Sequence, residues 1–261
     1  MPKFNLYPGE QVIDDGVDNI PTPDGLSTGY QGMFSSPESA ATYSALSSSF
    51  MVPRSEWQGR CEEMAESKTL VSDLIVQAGL KPKNQLKTNY CWIFAPTGAI
   101  ETQRLIQGQK YISLSPASAG AQIKNYRNVG GWGEEGLQWI ADHGLVPTEY
   151  WPDTAIDRRY ATSENKTRAM EFRATEWDRL KPKSIDEMMS CLFHRKVVPI
   201  GLNWMGHEMY AIDPIWRNGT FGIRVRNSWG DIPDWPNGFG ILQGNKMIPD
   251  DAVCLRSTTA S

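Results

Sequence analysis

The sequence predicts an α+β fold, with a helical half followed by a β-rich half. Between about residues 60 and 145, apolar side chains recur at three- and four-residue steps, the period of a helix with one buried face. After about residue 150 the pattern changes, and two strand-like runs flank Arg217-Asn218-Gly219, a strong hairpin signal. The chain has 261 residues, 40% hydrophobic and 21% charged, enough for a sizeable core and unlike a disordered or fibrous sequence.

The elements follow in order. Cys61, Met64, Val71, Leu74, Ile75 and Ala78 predict one helix over about 60–79, stopped by Gly79. Ala95, Ala99, Thr102 and Ile106 predict a second helix from Cys91 to Gly108. Pro96 lacks a donor and crowds the carbonyl four residues back, so an irregular turn is expected there. Ser115-Pro116 supplies an N-cap and a first-turn proline for a third helix to about Tyr126. A fourth helix covers Glu134–His143 and stops at Gly144. A helix near 185–194 leads to a strand over 197–202. The hairpin strands then span 207–216 and 220–227.

The start of the chain is different. Eighteen of the first 50 residues are Gly, Pro or Ser, and one base against six acids gives a net −5. Residues 1–55 are expected to form an irregular acidic arm, with turn chemistry at Pro21-Thr22-Pro23-Asp24-Gly25. The arm reads as a linker, a segment docking on a partner subunit, or an inhibitory segment; a position in the chain's own cleft would favour the last. Residues 56–261 form the main domain, with a helical lobe over about 60–150 and a β-rich lobe over about 151–261.

A formal charge of −4 gives no electrostatic case for nucleic acid or an anionic membrane. No run of 18 apolar residues exists, and the first ten residues lack the apolar stretch of a secretory signal. Cys61, Cys91, Cys191 and Cys254 are widely spaced, without CxxC. They are expected to be free thiols in a cytoplasmic or other reducing compartment, with no metal or other cofactor.

Three histidines are candidate bases. His143 at a helix C-terminus and His194 near another helix end read as structural, and so does His207 taken alone. Cys91 stands where a loop meets a helix. There the dipole and unpaired N–H groups stabilise a thiolate, and a nearby imidazolium stabilises it further. Acyl transfer needs donors for an oxyanion. The Cys91 N–H supplies one and the Gln85 side chain can supply another. Asn227 can orient the second ring nitrogen of the base without adding charge.

These residues resemble the papain-like cysteine peptidase family. The resemblance lies in Asn84-Gln85, Cys91-Trp92, Gly206-His207 and Asn227-Ser228-Trp229-Gly230, in the family's order. Leu114-Ser115-Pro116, Gly130-Gly131-Trp132 and Tyr150-Trp151-Pro152 extend it over roughly 84–245. It implies a two-lobed fold, helical lobe plus antiparallel β lobe, with the cleft between. It also implies a thiol hydrolase acting on peptide or isopeptide bonds. Cys91 would be the nucleophile, His207 the base and then the acid, Asn227 the orienter and Gln85 an oxyanion donor. Gly130, Gly131, Trp132 and Tyr90 would contact substrate, with Trp92 and Trp229 supporting. Tyr90 replaces a small residue and is expected to narrow the cleft. The family's disulfide cysteines and the long segment before its histidine are missing. Those departures, with the arm, leave an alternative: a structural or assembly protein on this scaffold, for example in a virus-like particle.

The hairpin imposes a geometric condition. An unbulged two-residue turn would set Asn227 opposite Tyr210 and send His207 to the other face of the sheet. The active site therefore requires a three-residue loop or a one-residue bulge, which sets Asn227 opposite Met209 and His207 on the same face.

Overall fold

A computed structural model describes residues 6–18, 20–29 and 46–260. The helices are α1 (Trp57–Glu66), α2 (Val71–Gln77), α3 (Cys91–Ile106), α4 (Ala117–Ile123), α5 (Gly133–His143), α6 (Ser163–Ala169) and α7 (Ile185–Phe193). The strands are β1 (Gln11–Ile13), β2 (Ala174–Arg179), β3 (Val198–Leu202), β4 (His207–Arg217), β5 (Thr220–Arg226), β6 (Phe239–Gln243) and β7 (Asp251–Thr258). They form one sheet in the order β1-β6-β5-β4-β3-β7-β2. All neighbours are antiparallel except β1, which comes from the arm and pairs parallel with β6.

The alternation of the strands sends side chains to two cores. Ile200, Met209, Ala211 and Val225 pack with Trp57, Cys61, Met188 and Leu192 of α1 and α7. On the other face, Tyr210, Ile212, Val253 and Leu255 meet Phe94, Ala95 and Ala99 of α3. The approach of α3 is close at Gly98, where a Cβ would lie 2.5 Å from the Tyr210 ring. This packing carries the N-terminus of α3 to the start of β4.

The single helix expected over 60–79 is two. Between α1 and α2 the backbone turns at Lys68, with φ of 52°. The α2 N-terminus is then satisfied by the buried Asp213 carboxylate, which accepts from Val71 N at 2.6 Å and Ser72 N at 3.2 Å. The irregular turn expected at Pro96 does not occur; α3 runs through it. The Trp92 carbonyl that Pro96 cannot serve lies against Gly136, where a Cβ would come within 3.2 Å of it. The third helix ends early, because Asn125 and Tyr126 both have positive φ.

The hairpin meets the register condition by its second route. Its turn is the two residues Asn218-Gly219, with Arg217 opposite Thr220, and the register shifts between Ala211 and Asp213. Ile212 is the extra residue. Beyond it Tyr210 faces Arg226, so Met209 falls opposite Asn227 and His207 shares its face.

Candidate active site

Cys91 is the first residue of α3 and is fully buried. Its Sγ accepts from the backbone N–H groups of Glu208, Gly29 and Trp92. The donation from Glu208, the neighbour of His207, fixes the start of β4 against Cys91. Burial pushes the Cys91 thiol pKa up, and the Glu208 carboxyl adds to this. Burial thus opposes the thiolate that the helix position favours.

His207 Nε2 lies 2.7 Å from Asn227 Oδ1, which also accepts from Ser228 N. With Nε2–H donating to that oxygen, Nδ1 is the basic nitrogen, and among the described residues it has no partner. Trp229 stacks on the imidazole with ring centres 4.6 Å apart and is itself buried. Burial lowers the His207 pKa from 6.5 to about 4, against a smaller opposing effect of the Asn227 hydrogen bond.

That depression fixes a pH dependence. Below pH 6.5 the unfolded chain takes up a proton that folded His207 refuses until about pH 4. Its contribution is present above the first value and is lost as pH falls through the second. The shift corresponds to about 3 kcal/mol. Glu208, whose carboxyl burial holds well above the usual carboxylate range, slopes the other way. The measurement is therefore the difference between the parent and His207→Gln in denaturant stability from pH 7 to 4, which should shrink by about that amount.

Gln85 is fully buried and held on several sides. Its Nε2 donates to Thr88 O at 2.9 Å, its Oε1 accepts from Ser228 Oγ at 2.6 Å, and its backbone N donates to Ser228 O at 2.8 Å. The loop that carries Asn227 thus also orients the amide. Gly131 has no room for a side chain, since a Cβ would lie 2.5 Å from the Trp92 ring, whose Nε1 donates to Val129 O. Gly130 is half-buried beside it, and Trp132 lies under Lys124 Nζ, 5.0 Å from its ring centre.

Tyr90 does not narrow the cleft. Its ring is fully buried against Gly120 of α4, and its hydroxyl donates to Arg127 O at 2.9 Å. The bulky residue is absorbed because position 120 is glycine. His143 stacks on Trp139, and His194 stacks on Phe50, away from Cys91.

The sequence reading left the destination of the arm open between three alternatives, and the structure places part of it in the site. Ser27 O accepts from Gln85 Nε2 at 2.7 Å and from Trp229 Nε1 at 3.1 Å. Gly29 O accepts from Gly131 N at 3.0 Å. The described part of the arm therefore docks on its own chain, across Cys91. Glu208 was missed; its carboxyl accepts from Gly133 N. Its place next to His207 on a strand is the one signal that could have marked it.

The chain is similar to known proteins in sequence and in fold. The family model described as papain family cysteine protease matches residues 77–213, just over half of the chain. Cathepsin L 2 of Paramecium tetraurelia is 27% identical over 164 residues, 57% of this chain and 51% of its own length. The chain thus spans about half the length of that relative. Among solved structures, digestive procathepsin L 3 of Tenebrio molitor larval midgut has a TM-score of 0.58 at 18% identity, covering 69% of this chain and 66% of that one. Xylellain, a cysteine protease from Xylella fastidiosa, has a TM-score of 0.55 at 17% identity, over 70% and 84% of the two chains. The α3–β4 packing and these matches lead to one assignment: the chain belongs to the papain family of cysteine proteases.

Proposed function

We propose that this chain is a cysteine peptidase that cleaves peptide or isopeptide bonds through a Cys91 acyl-enzyme. One observation carries the reading: His207 presents an unpartnered Nδ1 at the strand end whose next N–H donates to Cys91 Sγ, while Asn227 holds the other nitrogen. Cys91 Sγ attacks the carbonyl carbon and its proton passes to His207 Nδ1. The oxyanion takes hydrogen bonds from Gln85 Nε2 and the Cys91 backbone N–H. Collapse breaks the C–N bond, and the departing amine takes the proton from His207. Water then gives a proton to His207 and attacks the thioester. The product is a carboxylic acid, and Cys91 is restored.

Residues 1–55 are read as an arm and 56–261 as the catalytic domain. The three other cysteines are buried free thiols, which supports a reducing environment. An electrophile carried on a short peptide should modify Cys91 and spare Cys61, Cys191 and Cys254, and a Cys91→Ala chain should take up none. Modification spread evenly over the cysteines would overturn the reading.

A further inference from the structure

We propose that a cavity between α4, α5 and α6 is a second binding site of this chain, built for a small apolar carboxylate such as an arylacetic acid. The site lies away from Cys91 and does not depend on the peptidase reading.

The cavity holds about 270 Å³. Val146, Trp151 and Ala169 are buried in its wall, and the half-buried Trp139 and exposed Met170 complete the wall nearer the surface. One side is set where α6 approaches the end of α5: Gly144 has a φ of 74°, and a Cβ there would strike the Ala169 carbonyl. A closed apolar void of about 150 Å³ already accepts benzene. The larger space here takes an aromatic ring and a short arm.

One buried donor in this lining is unused. Trp139 Nε1 is shielded from solvent and, among the described residues, has no hydrogen-bond partner. The other polar groups of the lining are engaged. Gln122 Nε2 donates to Ser118 O at 2.6 Å, Ser118 Oγ to Ser115 O at 2.6 Å, and Asn165 Nδ2 to Tyr160 O at 2.8 Å. A buried N–H without an acceptor costs free energy, so an occupant that brings an acceptor oxygen supplies what the free chain lacks.

The rim selects the sign of that occupant. His143 and Lys166 both line the cavity and both are exposed. Lys166 makes no ion pair among the described residues, whereas Glu164 on the same helix lies 3.9 Å from Arg168 Nη1. No Asp or Glu is among the described lining residues. A simple packing gap would be apolar throughout; an apolar floor, a spare donor and a basic rim match an anionic head on an apolar body.

The cavity is separate from the site around Cys91. α4 turns Gly120 toward the ring of Tyr90, the residue before Cys91. Ser118 and Gln122, two residues to either side of Gly120, line the cavity instead. A step of two residues turns a helix by about 200°, so these faces of α4 are nearly opposite. A ligand in the cavity therefore has α4 between it and the α3 N-terminus.

The test titrates phenylacetate and its neutral amide, phenylacetamide, into the full-length chain, followed by tryptophan fluorescence and ligand-detected NMR. Phenylacetate should bind with a Kd of about 1 mM or tighter, and the amide several-fold more weakly. Lys166→Ala, an exposed change that carries little risk to folding, should weaken phenylacetate binding about two- to fivefold. Ala161→Phe, which fills the cavity from its lining, should abolish binding. No binding of phenylacetate at about 10 mM, equal affinities for acid and amide, or undiminished binding to Ala161→Phe would each overturn the proposal. If Ala161→Phe does not fold, Lys166→Ala decides, with an unchanged affinity counting against the site.

Discussion

Replacing His207 with alanine is expected to slow acylation of Cys91 by on the order of 10⁴-fold. The size follows from the site. Burial raises the thiol pKa, and within hydrogen-bond reach the sulfur meets only backbone N–H groups in the contacts described. Without the imidazole there is no base to take the thiol proton and no acid for the leaving amine. The two remaining aids, the Gln85 amide and the helix terminus, act on charge that must first form. Peptide hydrolysis and thiol labelling at pH 7 would measure the loss. Retention of more than about a tenth of the rate would show that a different group carries the proton.

The second large effect is expected at Arg224. Its guanidinium is fully buried, donates to both oxygens of Glu10 at 2.5 and 2.8 Å, and lies 3.6 Å from Asp213. Tyr7 covers it, with the guanidinium 4.7 Å from the ring centre. Arg224→Ala strands two buried carboxylates and should cost about 3–5 kcal/mol, read as a drop in denaturant midpoint. It should also have a separate local result. Glu10 is the root of the arm, immediately before β1, so thiol labelling of Cys91 should accelerate even well below the unfolding transition. A stability loss with unchanged labelling would show that β1 and the 27–29 segment hold independently of that root.

Much of this was legible in the sequence, and the reasons are uneven. Asn227 and His207 could be placed on one face because strand periodicity is two, so a single extra residue is decisive. The sequence could not say that the extra residue is Ile212 and not part of the turn, since bulge and loop satisfy the same condition. Cys91 could be placed at a helix start, but its ionisation could not, because that depends on what covers it. The break at Lys68 is set by a buried partner, Asp213, more than 140 residues away. Tyr90 misled because its size was visible and its neighbour Gly120 was not. The destination of the arm was open for the same kind of reason. A Gly/Ser/Pro-rich stretch has little periodicity of its own, and the steric demand at Gly29 exists only once Asn89 lies beside it.

The extra residue in β4 has a consequence for how this hairpin can vary. Ile212 lies between the Asn218-Gly219 tip and the hydrogen-bonded His207–Asn227 pair, so it acts as a phase shifter. Were it drawn into the ladder opposite Val225, Tyr210 would fall opposite Asn227 and alternate side chains of the inner strand would swap faces. Glu208 would then stand toward Asn227, and the imidazole would look into the opposite core. Deleting Ile212 would instead leave Ala211 opposite Val225 and the imidazole on its present face.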